Sequence, residues 1–270
     1  MNAQQNIKMA VFDIDGTLLG RLKDKIEDSS VSAIHQLKAQ GIQVMIATGR
    51  SLYFIKAHVR EVLDSDYIVS INGHCLLDRN KQVLIRHDQD PNVVKQVYDL
   101  CSRYELALGM KTTKEIYVLR DYPTFYQHYA QGFDAKNLII DNSVTHDAYL
   151  TVEPAMGLFI IGDSSLILPE LKKIPQLRIE GLGTHSLDVF GAEIDKVTGI
   201  DEVLKLANLS WENVIAFGDG NNDLGMLSHA GISIAMGNGT QEVKDVADFT
   251  TLNCDEGGIA YALKAYGLIP

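Results

Sequence analysis

Positive charge is in short supply in this chain. Lysine and arginine number 24 against 35 aspartates and glutamates, a net charge of −11. Nucleic-acid binders usually show a basic field, so that class is set aside. The deficit leaves phosphorylated ligands open, because a metal ion and a few local cations reverse the sign inside one site. Cysteine is scarce as well. Cys75, Cys101 and Cys254 lie far apart and make neither a metal cluster nor a disulfide framework. No apolar run reaches the roughly 18–20 residues of a membrane span. The N-terminus, Met1-Asn2-Ala3-Gln4-Gln5-Asn6, is polar and lacks a signal-peptide core, so a cytoplasmic protein is expected. There is no Walker A loop and no Gly-x-Ser-x-Gly elbow. Counting from Asp219, the sixth and twelfth positions hold Leu224 and Ala230, where a calcium loop needs Gly and Glu. Gly237-Asn238-Gly239 does not extend to a dinucleotide fingerprint, because Glu242 takes the third glycine position. No internal repeat is seen.

What is present reads as an ordinary globular enzyme. The chain has 270 residues, 46% hydrophobic and 22% charged, enough for one large or two modest domains. Met9 to Phe12 is an apolar run that ends in Asp13-Ile14-Asp15-Gly16-Thr17. Such a run suits a strand buried on both faces of a parallel sheet. Unpaired carboxylates are costly to bury, so the Asp pair belongs at the strand's mouth. Asp28-Ser29-Ser30 offers helix caps, and Ile42 to Ala47 is a second strand ending in Thr48-Gly49-Arg50. A helix is expected from Ser51, with Leu52, Ile55, Val59 and Leu63 on one stripe. Tyr67 to Ile71 is a third strand, ending in Asn72-Gly73. This alternation predicts an α/β fold with a doubly wound, Rossmann-like parallel sheet.

The rhythm changes after residue 82. Paired strands with helices between them predict an α+β module over 83–190, an antiparallel sheet covered on one face. Within it, 135–153 is too polar to assign. The first rhythm resumes from 191. The expected organisation is therefore a discontinuous core, 1–82 and 191–270, interrupted by an inserted domain.

Polar clusters now mark four strand ends: Asp13 with Asp15, Thr48, Asn72, and Asp219 with Asn222 and Asp223. Doubly wound topology brings such ends to one edge of the sheet. Carboxylates converging there repel one another unless a cation sits among them. Oxygen ligands without His or Cys favour Mg²⁺ over zinc, and Mg²⁺ prefers a phosphate as its further partner. Lys196 opens a predicted helix, where a cation works against the helix dipole. An anion or a carboxylate cluster would explain it there. Thr48 and Ser51 suit helix capping, and a helix N-terminus also binds phosphate.

Taken together, Asp13-Ile14-Asp15-Gly16-Thr17, Thr48-Gly49-Arg50, Lys196 and Gly218-Asp219-Gly220-Asn221-Asn222-Asp223 resemble the motif series of the haloacid dehalogenase (HAD) superfamily. Their order and spacing look like its Cof-type branch, sugar-phosphatase-like hydrolases of class IIB with a C2 cap between the second and third motifs. Ile234-Ala235-Met236-Gly237-Asn238 and Asp255-Glu256-Gly257-Gly258 also look like that branch. Two positions depart from it: Val197 follows the lysine where glycine is usual, and His74-Cys75 follow Asn72-Gly73 where a small residue is usual.

The resemblance implies a Mg²⁺-dependent phosphatase acting on small phosphorylated metabolites through an aspartyl-phosphate. Asp13 is then the nucleophile and a metal ligand. Asp15 is the general acid/base and binds metal through its backbone carbonyl. Thr48 and Lys196 hold phosphate oxygens. Asp219 and Asp223 complete the metal site, and Asn222 steadies the phosphate or Lys196. Gly49, Arg50, Asn72 and Gly73 line the substrate side, and Lys111, Tyr117 and His185 are candidate contacts from the cap. Having Asp at both 13 and 15 favours phosphate over carbon–halogen chemistry, because halide leaves without a proton. A phosphoryl-transferring mutase and a non-catalytic metabolite sensor are the alternatives. A receiver domain is disfavoured by the large insertion. Hexose, pentose and polyol phosphates, flavin mononucleotide and pyridoxal phosphate all stay open as substrates, as does the oligomeric state.

Overall fold

A computed structural model describes residues 6–20, 23, 25–130, 135–145, 147–181 and 184–270. The polar segment 1–5 lies outside them. In chain order the elements are β1 (Met9–Phe12), α1 (Asp28–Ala39), β2 (Gln43–Ala47), α2 (Ala57–Leu63), β3 (Tyr67–Ser70), β4 (Cys75–Asp78) and β5 (Val83–Arg86). Then come α3 (Pro91–Arg103), β6 (Ala107–Lys111), β7 (Ile116–Arg120), α4 (Tyr122–Tyr129), β8 (Ile139–Asp141), β9 (Gly157–Ile161), α5 (Ser164–Leu171), β10 (Leu177–Gly181) and β11 (Ser186–Gly191). The chain closes with α6 (Lys196–Leu206), β12 (Val214–Gly218), α7 (Leu224–His229), β13 (Ile232–Ala235), α8 (Gln241–Val246), β14 (Phe249–Thr250) and α9 (Gly258–Ala265). They fall into two units. One comprises Met1–Gly49, Ile55–Leu84 and Lys196–Pro270, the other Arg50–Phe54 and Ile85–Asp195.

The first unit is built on a sheet of order β14-β13-β12-β1-β2-β3-β4-β5. From β14 to β3 every pairing is parallel, and β4 turns back antiparallel. Strand β1 lies at the middle and all four of its residues are fully buried, which is why it reads as a continuous apolar run. Its Phe12 ring stacks on Phe217 of β12, 4.9 Å between centroids. Successive strands lead away from β1 through β2 and β3 on one side and lie beyond β12 on the other. The carboxyl end of β1 is therefore a topological switch point, the place where open α/β sheets bind ligands.

Local signals decide the helix ends. The start of α1 is capped by Glu27, whose carboxylate accepts from the Ser30 N–H at 3.1 Å, one residue before the expected Asp-Ser-Ser run. Gly41, at φ +80°, ends the chain's turn out of that helix. The helix expected from Ser51 is broken. Leu52–Phe54 forms a single 3₁₀ turn and α2 starts only at Ala57. At the end of that turn the Phe54 ring packs edge-on to Tyr129 at 5.3 Å in an apolar cluster of the second unit.

The second unit holds a sheet of order β10-β11-β9-β6-β7-β8. It is antiparallel except that β8 runs parallel to β7. This three-residue strand comes from the polar stretch left unassigned above. One face is covered by Val94, Val97 and Cys101 of α3 with Ile167 and Leu171 of α5. The other carries Phe125 of α4 against Ala107, Ile116, Phe159 and Ile161. The sheet is thus covered on one face and, over β6, β7 and β9, on part of the other. An eight-residue helix such as α4 has too little periodicity to announce the face it covers. All three cysteines are free and buried. Among the described residues, no helix is long and apolar enough to cross a membrane.

Candidate active site

Parallel strands put the chemistry-bearing residues of the first unit at one sheet edge. Asp13 follows β1, Thr48 follows β2, Asn72 lies two residues beyond β3, and Asp219 follows β12. The Asp13 N–H donates to the Phe217 carbonyl at 3.1 Å. This carries the β1–β12 register one residue past the strand and aligns the two aspartate loops. Lys196 is the first residue of α6 and is 2% exposed. Its Nζ lies 2.5 Å from Asp13 Oδ1 and 2.7 Å from Asp223 Oδ1.

Ligand atoms of Asp13, Asp219 and Asp223 all lie within 4.8 Å of one another, and all three residues are buried. Burial pushes the Asp13 carboxyl well above the usual carboxylate range. Lys196 opposes that push, while Asp223 and Asp15 add to it. Burial alone would favour a neutral Lys196, but Asp13 and Asp223 outweigh it and hold its ammonium above the ordinary lysine value. Three carboxylates against one ammonium leave two negative charges in a desolvated cluster. One divalent cation would balance them, and the all-oxygen donor set fits a hard one.

The cluster is held by residues that lie inside the motifs but are given no role there. Thr17, fully buried, donates from Oγ1 to Asp219 Oδ1 at 3.1 Å. Gly16 sits at φ +92°, where a Cβ would collide with the Asp219 carboxylate. Asp223 Oδ2 accepts from the N–H groups of Asp219 (3.0 Å) and Gly220 (3.1 Å), which closes its own loop. Asn238 donates to the Gly16 carbonyl at 2.7 Å and accepts from the Cys254 N–H at 2.8 Å. The partners of Thr17 and Asn238 lie far apart in sequence, so no local spacing reveals them.

A second group lies at the ends of β2 and β3. The Asn72 N–H donates to the Thr48 carbonyl at 3.0 Å, and the Thr48 N–H to Val69 at 2.8 Å. Asn222 Nδ2 donates to Asn72 Oδ1 at 3.3 Å. Ile71, Asn72 and Gly73 have φ of +53°, +47° and +99°. Holding a β-branched residue in that region costs about 1–3 kcal/mol and is characteristic of functional sites. Asp15 is exposed, Thr48 is buried and Gly49 is half-buried.

The remaining candidates lie in the second unit. Arg50 donates to the Phe54 carbonyl at 2.9 Å. Lys111 is buried and paired with Asp188, its Nζ over the rings of Phe159 (5.4 Å) and Phe190 (5.2 Å). Tyr117 packs on the opposite face of the sheet, with the α3 and α5 cluster. His185 is exposed, at the approach to β11. Lys111, Tyr117 and His185 thus do not form one cluster.

Comparison with known proteins places this geometry. The family of haloacid dehalogenase-like hydrolases matches over residues 10–263. The 5-amino-6-(5-phospho-D-ribitylamino)uracil phosphatase YcsE of Bacillus subtilis is 27% identical over 97% of both chains. The HAD subclass IIB sugar phosphatase BT4131 is 28% identical and superposes with a TM-score of 0.85 over 97% of this chain and 100% of its own. The phosphatase BT1666 of Bacteroides thetaiotaomicron gives 26% identity and a TM-score of 0.85 over 97% and 96%. The match spans both sheets and every cluster described above, and the chain belongs to the haloacid dehalogenase-like hydrolases, in the Cof-type branch of phosphatases.

Proposed function

We propose that the protein is a Mg²⁺-dependent phosphatase of small phosphorylated metabolites that works through an aspartyl-phosphate on Asp13. The observation that carries this reading is the buried set Asp13, Asp219, Asp223 and Lys196, which carries two negative charges in excess. Asp13, Asp219 and Asp223, with the Asp15 backbone carbonyl, would hold the ion. When bound, Mg²⁺ supplies positive charge facing the phosphoryl oxygens.

The chain's own groups do the rest. Asp13 attacks phosphorus in line and the P–O ester bond breaks, dividing one hard step into two. Lys196 offsets the repulsion between carboxylate and phosphate dianion, and Thr48 holds a further phosphoryl oxygen. Asp15, exposed beside the nucleophile, gives its proton to the leaving alkoxide. It then takes one from the water that hydrolyses the aspartyl-phosphate, which restores Asp13. Gly49, Arg50, Asn72, Gly73 and Asn222 bind on the substrate side. The core, residues 1–82 and 191–270, carries this chemistry, and the inserted 83–190 reads the leaving group as a cap.

The relatives are named for a ribityl phosphate and for sugar phosphates. A phosphorylated polyol or sugar is accordingly the substrate class proposed here. Purified protein should hydrolyse p-nitrophenyl phosphate with Mg²⁺, stop with EDTA and recover with excess Mg²⁺. Polyol and sugar phosphates should lead a metabolite panel ranked by kcat/KM. Metal-independent turnover would contradict the proposal, and a panel led by pyridoxal phosphate, whose phosphate is on neither a polyol nor a sugar, would overturn the substrate class.

A further inference from the structure

One face of the sheet in the second unit holds a buried charge pair to which the phosphatase chemistry gives no task. Alternation along β6, β9 and β11 turns Lys111, Phe159, Asp188 and Phe190 to that same face. Lys111 and Asp188 stand on strands separated by β9, roughly 10 Å across two strand spacings. The residue opposite Lys111 on β9 is Gly157, which has no side chain to stand in the way. The lysine therefore crosses β9, brings its Nζ over the rings of Phe159 (5.4 Å) and Phe190 (5.2 Å), and donates to Asp188 Oδ1.

Lys111 is 2% exposed and Asp188 8%. An ion pair this deep stabilises a fold little more than two apolar side chains of similar volume would. Lys111 also takes only one carboxylate oxygen. Among the described residues no donor reaches Asp188 Oδ2. A buried carboxylate oxygen without a donor is costly, and a ligand hydroxyl would satisfy it. Phe159 beside it offers an apolar ring to C–H groups. A ring and a fixed acceptor together suit a polyhydroxylated ligand, C–H on the ring and O–H on the carboxylate. A second anionic group would be turned away by Asp188.

Sequence ties this face to the phosphate ligands at two points. Arg50 belongs to the second unit, two residues after Thr48, and lies close enough to Lys111 to act on its charge. Arg178 of β10 packs its guanidinium over Phe190 at 5.2 Å and donates to the Ile194 carbonyl at 2.8 Å, two residues before Lys196.

We infer that Asp188, oriented by Lys111, is a specificity-determining residue that accepts a hydroxyl of the leaving group. This rests on the phosphatase reading, in which the inserted domain reads that group.

The test sets ribitol 5-phosphate and glucose 6-phosphate against pentyl phosphate, which has the phosphate and no hydroxyl. The parent should prefer the better of the first two by at least about 10-fold in kcat/KM, the effect of one hydrogen bond to a charged group. Replacing both charges at once, Lys111→Met with Asp188→Leu, leaves no unpaired charge behind and should keep the fold. In that variant the preference should shrink to within about 3-fold, mainly through KM, while p-nitrophenyl phosphate turnover stays within about 3-fold of the parent. Asp188→Asn keeps the shape and a partner for Lys111 but puts an NH₂ in place of the second oxygen. It should cut the preference by at least about 3-fold, because the charge-assisted bond is lost. Equal losses on every substrate would mark a merely structural pair and overturn the inference. So would a preference that survives both variants, or a parent that has none. If the parent hydrolyses no phosphomonoester, the phosphatase reading fails by itself. Calorimetric titration with the two polyhydroxylated phosphates then decides. Binding about 10-fold weaker in the double variant supports the role of Asp188, and equal affinity or no binding to either protein overturns it.

Discussion

Lys196 meets Asp13 across 183 positions of sequence, Nζ to Oδ1 at 2.5 Å, and neither side chain is more than 7% exposed. The ammonium is held charged by two carboxylates at the spot where a phosphate dianion would gain charge. Replacing it by the apolar isostere, Lys196→Met, should lower kcat/KM by about 10²–10³-fold, the effect of losing one preorganised donor. Lys196→Arg should not restore activity, because a planar fork does not replace a compact point charge between two carboxylates. Steady-state kinetics beside far-UV circular dichroism tests this. A folded Lys196→Met enzyme within a few-fold of the parent would remove the lysine from the chemistry.

Thr17 provides a test of the metal assignment that leaves every ligand in place. Its hydroxyl donates to Asp219 Oδ1 in a fully buried setting. Thr17→Val keeps the shape and removes the donor. Outer partners of this kind are worth about 10–100-fold in metal affinity. The Mg²⁺ concentration for half-maximal activity should rise by at least about 10-fold, with kcat at saturating Mg²⁺ little changed. Thr17→Ser should behave like the parent. An unshifted Mg²⁺ curve for Thr17→Val would mean that Asp219 is oriented without it.

Much of this architecture was legible because it is local. Val11 and Phe12 read as a central strand because both faces of β1 are buried. Asp13, Lys196, Asp219 and Asp223 were found as ordered motifs at strand and helix ends. Other features were illegible because their partners are remote. Thr17 looks like an ordinary turn residue until Asp219, 202 positions away, folds onto it. Leu52, Ile55, Val59 and Leu63 fit a helical stripe from Ser51, yet the chain there is broken into a 3₁₀ turn and a later helix, and the Phe54 ring packs on the remote Tyr129. Strand β8 hides in a polar stretch because three residues carry too little pattern to read. Asn238 sits in a recognised motif, but its bonds to Gly16 and Cys254 join segments that no spacing connects.

Acid stability should carry the mark of Asp64, at the end of α2. A hydrogen bond from Arg79 is the main cause that lowers its carboxyl to about 2, with Lys38 assisting. The Arg79 Nε–H reaches Oδ1 at 3.1 Å and Lys38 Nζ reaches Oδ2 at 3.2 Å. The folded value lies below the unfolded value of about 3.9. The contribution is therefore complete above about pH 4 and is lost as pH falls toward 2. It should be small, since the pair is half exposed and screened by salt. Asp64→Asn should lower Tm slightly at neutral pH, and the two Tm curves should converge as the solution is acidified through that window. A gap of constant size down to pH 2 would show that the carboxylate contributes nothing through its charge.

The account turns on Asp13 as the atom that takes the phosphoryl group. The direct measurement is mass spectrometry of protein acid-quenched during turnover of a phosphomonoester with Mg²⁺. One phosphoryl group should appear on the peptide that contains Asp13, labile to hydroxylamine as an acyl phosphate is, and absent from Asp13→Asn. Full turnover with no phosphorylated protein at any quench time, or a phosphoryl group on another residue that persists in Asp13→Asn, would contradict it.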